Sequence, residues 1–510
     1  MIRLLILWVG CTGLLPAQSF TLNTVQAGLT EARQSNGVAV ADYDLDGDLD
    51  VYFVAVRQYD PNNSATWNRL YRNNGNGTFT DVTEQAGVRS YLSGYPINTM
   101  GNKYGASWGD YDNDGDPDLF LTHLGPDMLF QNNGDGTFTE VTQQAGVAGN
   151  DTDVNSSALW WDFDLDGDLD LYVGAWIGAN RMYENLGGGV FQDISLASGL
   201  ADSGRTWTSI PIDANNDTLP DLYVVNDFGA NHFFVNLGNG AFQEATTAFG
   251  LEDEGHGMGV CIGDYNNDGW FDIYLTNIYD LFPNPLFTNT GQSYFIDLAA
   301  QMGVDSAGWA WGTEFFDCDH DGDEELYVVN GFLIDPGDNM FFNNMLIETG
   351  NPGFVEMSAA SGTNGSAEAR GLVVFDYDDD GDLDLLVANF NEPPYLYVNQ
   401  TVTQNWLKVK LEGTTSNRNA FGASIRVTAG GQTYHRHNDG VEFLGQSIQP
   451  LHVGLGNATN VDELVVRWPD GTEESFHNIP VNQQITVREG VGIITAIGDT
   501  PGTPVATEFR

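Results

Sequence analysis

Short apolar runs recur along this chain, and each follows directly on a polar, aspartate-rich segment. Neighbouring residues of a strand point to opposite faces, so three apolar residues in succession predict a strand that is covered on both sides. The pattern therefore predicts seven buried strands. Their central residues are Val51-Tyr52-Phe53, Leu119-Phe120-Leu121, Leu171-Tyr172-Val173, Leu222-Tyr223-Val224, Ile273-Tyr274-Leu275, Leu326-Tyr327-Val328 and Leu385-Leu386-Val387.

A second repeated phrase separates these runs. It reads NNGNGTFTDVTEQAGV from Asn73 and NNGDGTFTEVTQQAGV from Asn132. Asn-Gly pairs favour tight turns, and the alternation in Phe-x-x-Val predicts a short strand. Weaker copies begin at Asn185, Asn236, Asn289 and Gly353.

The copy expected after the seventh run is missing, whereas the related phrase SFTLNTVQAGL occupies residues 19–29, before the first run. A closed ring of repeats explains this displacement, because an N-terminal strand can complete the last unit and lock the ring. We therefore predict an all-β fold. Residues 18–402 form a seven-bladed β-propeller in which the N-terminal strand closes the last blade.

The aspartate-rich segments share the pattern D-x-[DN]-x-D-[GT]-x-x-[DE] and start at residues 42, 110, 162, 213, 264, 317 and 376. Such a loop offers side-chain oxygens at positions one, three, five and nine and a backbone carbonyl at position seven, the ligand set that Ca²⁺ prefers. Position seven varies between Asp, Leu and Trp, as a backbone ligand allows. Loop four is the weakest copy, since Thr218 replaces the glycine at position six.

Seven structural Ca²⁺ sites follow from this pattern. All-oxygen ligands favour Ca²⁺ over Zn²⁺ or Cu²⁺. The predicted ligands are Asp42, Asp44, Asp46, Asp48 and Asp50 in loop one; Asp110, Asp112, Asp114, Asp116 and Asp118 in loop two; Asp162, Asp164, Asp166, Asp168 and Asp170 in loop three; Asp213, Asn215, Asp217, Leu219 and Asp221 in loop four; Asp264, Asn266, Asp268, Trp270 and Asp272 in loop five; Asp317, Asp319, Asp321, Asp323 and Glu325 in loop six; and Asp376, Asp378, Asp380, Asp382 and Asp384 in loop seven.

Two other kinds of acidic loop compete with this interpretation. An EF-hand needs a glutamate at position twelve, and that position is apolar in all seven copies, which excludes this class of site. Metal-free acidic surface turns stay open as an alternative, most of all for loop four.

The amino-acid composition excludes several classes of protein. The 510 residues carry a formal net charge of -53, which argues against binding nucleic acids or anionic membranes. Disorder is also excluded, because 41% of the residues are hydrophobic and 12% are aromatic. Nearly half of the 71 acidic residues lie in the seven loops, so bound divalent cations would cancel much of the negative charge.

The N-terminus has the pattern of a signal peptide: Arg3, an apolar stretch, and a cleavage point after Ala17. We therefore predict a secreted or cell-surface protein whose leader spans residues 1–17. No other segment reaches the roughly 20 apolar residues that cross a bilayer. Cys261 and Cys318 are expected to be buried thiols rather than a disulfide.

Residues 403–490 form a second region with a lower density of acids. Five strands are predicted there, and Pro469-Asp470-Gly471 has the composition of a hairpin turn. We expect a small β-sandwich domain, followed by a linker-like tail over residues 491–510. The predicted strands are Trp406–Leu411, Ala423–Thr428, Leu451–Gly454, Glu463–Trp468 and Gln484–Arg488.

Both regions resemble known families. The stretch from Tyr104 to Gly115, YGASWGDYDNDG, is similar to an FG-GAP/VCBS repeat of the kind found in integrin α-subunit propellers, and the resemblance covers residues 19–400. The second region resembles the ASPIC/UnbV domain through NWL from Asn405, SNR from Ser416, GLG from Gly454 and VRWPDG from Val466. The pairing is typical of the family of cartilage acidic protein and its bacterial relatives. This resemblance implies a secreted calcium-binding propeller with no established catalytic activity.

Three hypotheses for function remain open. The first is a non-catalytic extracellular protein that binds a protein or glycan ligand of unknown identity; the second is an enzyme, lyase or hydrolase, acting on extracellular polysaccharide; the third is a structural module of a cell-surface assembly. No nucleophile motif or P-loop occurs, so we assign no catalytic residue. His256 is the histidine best placed to face the channel, and the His435 and His437 pair is expected on a solvated strand face. Tryptophans that precede several loops are expected to pack between blades, with a carbohydrate platform on the loop-rich face as the alternative. These tryptophans are Trp108, Trp160, Trp161, Trp207, Trp309 and Trp311.

Overall fold

The structure, a computed structural model, describes residues 18–494 and 508–509, except for positions 33, 57–59, 61, 91–101, 279–281, 333–336 and 402–403. The predicted leader, residues 1–17, and most of the tail lie outside the described residues. Within them the chain folds into nine β-sheets, and no helix is long and apolar enough to cross a membrane.

Seven of these sheets are blades, each built on four antiparallel strands. The four strands are consecutive in the first six blades, whereas the last blade takes one of its strands from the N-terminus. In chain order the strands are β1 (Phe20–Leu22), β2 (Ser35–Ala41), β3 (Asp50–Ala55), β4 (Arg69–Asn73), β5 (Phe79–Asp81), β6 (Lys103–Gly109), β7 (Asp118–His123), β8 (Met128–Asn132), β9 (Phe138–Glu140), β10 (Val154–Trp161), β11 (Asp170–Ile177), β12 (Arg181–Asn185), β13 (Phe191–Asp193), β14 (Thr206–Ile212), β15 (Asp221–Asn226), β16 (His232–Asn236), β17 (Phe242–Glu244), β18 (Gly257–Gly263), β19 (Asp272–Asn277), β20 (Leu286–Asn289), β21 (Phe295–Asp297), β22 (Ala310–Phe316), β23 (Glu325–Asn330), β24 (Met340–Asn344), β25 (Phe354–Glu356), β26 (Ala369–Phe375), β27 (Asp384–Asn389) and β28 (Tyr395–Asn399).

The innermost strands of the blades contact one another around a closed ring, and β26 of blade seven contacts β2 of blade one. Strand β1 forms the outer edge of blade seven, where Phe20 pairs with Asn399 and Leu22 with Tyr397. The predicted seven-bladed propeller with its N-terminal closing strand is thereby confirmed. The seven apolar runs form the second strand of each blade, and their side chains are at most 1% exposed.

Single helical turns follow the outer strands, because the repeated phrase ends in a glycine that adopts a left-handed conformation and stops the helix. Helix α7 is an exception, since it is inserted between β24 and β25 of blade six. The helices are α1 (Thr24–Ala27), α2 (Thr83–Ala86), α3 (Thr142–Ala145), α4 (Ser195–Ser198), α5 (Thr246–Phe249), α6 (Ala299–Met302), α7 (Leu346–Thr349) and α8 (Ser358–Ser361), with a 3-10 turn at Ser64–Thr66.

The second region is a β-sandwich with its own core, in which Trp468 is 1% exposed. One sheet has the order β33-β29-β36-β37 and the other β31-β30-β34-β35-β38. All five predicted strands are present, and the Pro469-Asp470-Gly471 turn joins two strands as expected. The strands are β29 (Trp406–Glu412), β30 (Ser424–Ala429), β31 (Gln432–His437), β32 (Gln446–Ser447), β33 (Leu451–Gly454), β34 (Asn460–Arg467), β35 (Glu473–Pro480), β36 (Gln483–Arg488), β37 (Gly492–Ile494) and β38 (Glu508–Phe509).

A loop of this sandwich, residues 438–450, enters the central channel of the propeller; we call it the plug. Its short strand β32 pairs in parallel with β2 and adds a fifth strand to blade one. Phe443, 1% exposed, packs against Trp207 and Trp311 on the inner strands of blades four and six. The sequence gives no sign of this insertion.

The plug can approach this closely because both backbones carry glycine at the crossing point. A Cβ on Gly445 would lie 1.8 Å from the Val38 carbonyl oxygen, and one on Gly37 would lie 1.9 Å from that of Leu444. Gln446 is fully buried, and its side-chain oxygen accepts hydrogen bonds from Ser107 Oγ and the Trp108 backbone N–H. The two domains therefore share one continuous interior.

Candidate metal centres

All seven acidic loops connect the innermost strand of a blade to its second strand, so they meet on one face of the propeller. Each loop turns through left-handed residues at positions four and six. Glycine serves position six in six loops, and in loop four Thr218 adopts a φ of 79° there. Loop four keeps the shared backbone despite its substitution.

The position-one aspartate organises each loop. Its Oδ2 accepts the backbone N–H of position six in all seven copies, at 2.8 to 3.1 Å. The position-five aspartate accepts the N–H of position seven in the same way, for example from Asp48 to Asp46 Oδ1 at 3.0 Å. In loops one and six the other oxygen of the position-one aspartate, Oδ1, is buried without a hydrogen-bond partner among the described residues. In the other five loops Oδ1 also accepts the backbone N–H of position five.

Carboxylates at positions one, three and nine converge. Ligand atoms of these three side chains lie within 4.8 Å of one another in loops one, two, three and six. Those groups are Asp42-Asp44-Asp50, Asp110-Asp112-Asp118, Asp162-Asp164-Asp170 and Asp317-Asp319-Glu325. In loops four and five an asparagine stands at position three, and its amide oxygen, in Asn215 and Asn266, accepts the N–H of position five.

Several carboxylate oxygens at positions one, three and nine are buried without a hydrogen-bond partner among the described residues. They are Asp42 Oδ1, Asp44 Oδ1, Asp112 Oδ1, Asp272 Oδ2 and Asp317 Oδ1. Burial, with smaller contributions from neighbouring carboxylates, raises the pKa of Asp50 and of Asp118 to about 9. Buried carboxylates that repel one another and lack partners fit a hard divalent cation, which would supply the missing charge and the missing contacts.

Family models match both regions of the chain. The FG-GAP-like repeat matches residues 42–121, 110–173, 162–224 and 213–275, and the ASPIC and UnbV domain matches residues 413–493. The chain is an FG-GAP-repeat protein with an ASPIC/UnbV domain. The resemblance inferred from the sequence is confirmed.

Several known proteins are similar to this chain. Cartilage acidic protein 1 of Mus musculus is 26% identical over 472 residues, which cover 85% of this chain and 70% of that protein. The protein of the same name from Homo sapiens is 26% identical over 473 residues, covering 85% and 69%. Among solved structures, BBS1N in complex with ARL6DN gives a TM-score of 0.46 at 11% identity, covering 76% of this chain and 99% of that one. Saccharomyces cerevisiae Sqt1 gives 0.43 at 11% identity, with the same coverage.

An asparagine that ends the third strand of each blade has a role that the sequence pattern did not predict. In six blades its Nδ2 donates to the position-two carbonyl of the preceding blade's loop, at 2.7 to 2.8 Å. In blade one, Asn73 reaches Tyr377 of blade seven and so joins the first blade to the last. The backbone N–H of the same asparagine donates to the position-nine carboxylate, for example to Asp50 Oδ1 at 2.7 Å. The asparagine that opens the repeated phrase is the sequence signal for this contact, but the Asn-Gly pattern by itself predicts only a turn.

The ASPIC/UnbV domain covers the face of the propeller that carries the seven candidate metal loops, which we call the metal face. It places a basic side chain on four of these loops. Lys408 Nζ lies 2.7 Å from Asp376 Oδ2, and His435 Nδ1 lies 3.1 Å from Asp264 Oδ2. In each of the four loops the contact is made to Oδ2 of the position-one aspartate. The other two contacts are Arg467 Nη2 to Asp213 at 3.3 Å and Arg436 Nη2 to Asp317 at 3.8 Å.

The expectation that His435 and His437 lie on a solvated strand face is wrong. Strand β31 is the edge of its sheet and lies against the propeller, so His435 contacts loop five and His437 packs 5.1 Å from the ring of Phe271. An edge strand that is covered by another domain has the same local sequence as an exposed one, which is why alternation could not separate the two cases.

His256 lies at the opposite end of the channel from the metal loops, just before β18. Its ring sits between Phe228 and Phe282, at 4.6 and 5.2 Å, and Nδ1 is 3.4 Å from Asp227 Oδ1. Trp108, Trp160 and Trp161 are buried between blades, as predicted. The remaining tryptophans, Trp207, Trp309 and Trp311, begin inner strands and therefore lie at the His256 end, not on the loop-rich face as the alternative required.

Proposed function

We propose that this chain is a secreted, non-catalytic, calcium-binding propeller protein that binds an extracellular protein or glycan. One Ca²⁺ occupies each loop as a structural ion. The ligands are the side chains at positions one, three, five and nine together with the position-seven carbonyl. The metal supplies positive charge that holds the inner strand of a blade to its second strand.

The buried, unpartnered carboxylate oxygens carry this proposal. Asp42 and Asp44 each present such an oxygen in the same loop, and an uncompensated buried charge is strongly destabilising. Because the acidic loop is repeated in every blade, the propeller requires cations to offset the charge of these buried carboxylates. The leader-like N-terminus supports secretion, and the curated relatives carry the name of cartilage, an extracellular tissue.

Chelation tests the structural role of the metal. A site at ten times its Kd adds about 1.4 kcal/mol to stability, so seven independent sites add about 10 kcal/mol, which is comparable with the whole stability of a typical domain. We expect EDTA to lower the melting temperature of the full chain by tens of degrees, and Ca²⁺ to restore it. An unchanged melting temperature in EDTA refutes the structural role.

A matched pair of variants tests the ligand assignment. Asp44→Ala removes the position-three ligand of loop one, whereas Asp44→Asn keeps an oxygen there, as loops four and five do. Calorimetric titration of Ca²⁺ into the chelator-treated chain should show one site fewer in Asp44→Ala and an unchanged number in Asp44→Asn. Equal stoichiometry in both variants contradicts the assignment.

Ligand binding is tested separately with protein and glycan arrays, in Ca²⁺ and in EDTA, together with an assay for new reducing ends. Binding without turnover supports the proposal. Turnover that is lost in His256→Ala would instead favour a polysaccharide-acting enzyme.

A further inference from the structure

A cavity of about 450 Å³ lies between the metal face of the propeller and the ASPIC/UnbV domain. Loops one, two and seven form one wall, with Asp46, Asp48 and Asp379 among its residues. Strand β29 and the loop that holds Arg418 form the other wall. The volume is within the range of about 300–1,000 Å³ that is usual for small-ligand sites, and domain interfaces are a preferred place for them.

Two basic side chains in this cavity have no ionic partner. Lys410 and Arg418 line it, and neither side chain makes a hydrogen bond or an ion pair with any residue in the described part of the chain. Lys410 acts on Asp42 at longer range, where its charge offsets part of the rise in the pKa of Asp42 that burial causes. Both residues are half-buried.

The other charged residues of the second-domain wall are paired. Lys408 lies 2.7 Å from both Asp376 and Asp379, and Glu412 lies 2.8 Å from Arg488. In a chain with 71 acids and 18 basic residues, two unpaired cations in one cleft between the domains are unexpected. The described part of the molecule offers many carboxylates with which these two side chains could pair, yet they pair with none of them. We take their position as an indication that the ligand is anionic.

We propose that this cavity binds a small hydroxylated carboxylate, such as a uronic acid, with Lys410 and Arg418 holding the carboxylate. A guanidinium presents paired N–H donors that match the two oxygens of a carboxylate. Amide side chains of Asn419 and Gln484 in the same wall offer hydrogen bonds to hydroxyl groups. The binding site deepens the function proposed above, on which it rests, by naming a ligand class and a place.

The metal loops give this site a dependence on Ca²⁺. The opposite wall includes five aspartates that we assign as metal ligands, and their summed negative charge repels an anion when no cation balances it; they are Asp42, Asp46, Asp48, Asp110 and Asp376. Cations in loops one, two and seven cancel most of that charge, which leaves Lys410 and Arg418 to set the sign of the field. Anion binding should therefore be tighter in Ca²⁺ than in EDTA.

The test uses the full chain and four probes: D-glucuronate, D-galacturonate and the uncharged D-glucose and D-galactose. We expect at least one uronate to bind in Ca²⁺, and both neutral sugars to bind at least tenfold more weakly than that uronate. The double variant Lys410→Gln, Arg418→Gln should weaken uronate binding at least tenfold. Arg426→Gln is the matched control, because Arg426 lies on the same domain, pairs with Glu463 and does not line the cavity.

Calcium titration of the same samples separates the two proposals. A chain that binds Ca²⁺ normally but binds neither uronate overturns the cavity proposal and leaves the calcium proposal standing. Uronate binding that is equal in the double variant and in the unaltered chain, or equal in Ca²⁺ and in EDTA, also overturns it. Melting temperatures of the double variant and of Arg426→Gln that agree within a few degrees show that any loss is local.

Discussion

The plug makes a specific prediction, because Phe443 places a buried aromatic ring among the inner strands of the propeller. Phe443 is 1% exposed, and its ring centroid lies 6.2 Å from that of Trp207 and 6.0 Å from that of Trp311. Replacing Phe443 with alanine leaves a cavity between blades four and six that the surrounding inner strands cannot fill without moving. The variant therefore tests whether the second domain is anchored inside the channel.

The expected cost follows from this burial. Phenylalanine-to-alanine changes in well-packed cores destabilise proteins by about 3–5 kcal/mol, and each aromatic pair accounts for about 0.5–1.5 kcal/mol of such a loss. Since whole domains are stable by about 5–15 kcal/mol, the plug should leave the channel well before the propeller unfolds. We expect Phe443→Ala to show a separate early transition.

Guanidinium chloride unfolding in Ca²⁺, followed by tryptophan fluorescence, measures this transition, because Trp207 and Trp311 become exposed when Phe443 leaves. The matched control is Val491→Ala on the same domain, where the side chain is 61% exposed and the expected change is within about 0.5 kcal/mol. If Phe443→Ala is no more destabilising than Val491→Ala, the plug does not pack in the channel.

Two further predictions follow. Burial lowers the pKa of Lys103 from 10.5 to about 7, and its Nζ donates to Ser90 Oγ at 3.2 Å. Between these two pH values the unfolded chain binds one more proton than the folded chain. The free energy of unfolding should therefore rise with pH from about 7 to 10.5, by up to about 5 kcal/mol. Lys103→Met should flatten that rise in pH-dependent melts, and an equally steep rise in the variant contradicts it. Removing residues 18–29 takes away β1 together with the buried Phe20 and Leu29, which are worth about 1.5–3 kcal/mol each. Compared with a chain that begins at Gln18, the shorter chain should melt at least ten degrees lower, and an unchanged melt would mean that the ring does not depend on β1.

The propeller could be predicted from the sequence because every blade repeats the same local pattern. Apolar runs, acidic loops and Asn-Gly turns recur in fixed order, so an error in one copy, such as Thr218 in loop four, is corrected by the others. The displaced phrase at residues 19–29 was enough to infer how the ring closes, and β1 pairs with β28 as that inference required.

The contacts between the domains could not be predicted in the same way. Gly37 and Gly445 are far apart in the chain, and neither belongs to a repeated turn, so nothing marks them as partners in a close backbone crossing. The plug sequence around Phe443 is short and mixed in polarity, as many surface loops are. Only one copy of the second domain exists in the chain, so no repetition reveals which of its residues have a shared role.

The seven acidic loops fall into two groups that differ in their ion pairs with the second domain. In loops four to seven, Oδ2 of the position-one aspartate already has a basic side chain from the ASPIC/UnbV domain, with Lys408 on Asp376 as the shortest contact. In loops one to three the position-one aspartate makes no ion pair with a basic side chain among the described residues. Loops one and two face the cavity instead. Because the second domain makes direct ion pairs only with loops four to seven, we expect removal of the proposed Ca²⁺ to destabilise blades one to three most. The same asymmetry leaves that side of the interface open, and it is there that Lys410 and Arg418 stand without a partner.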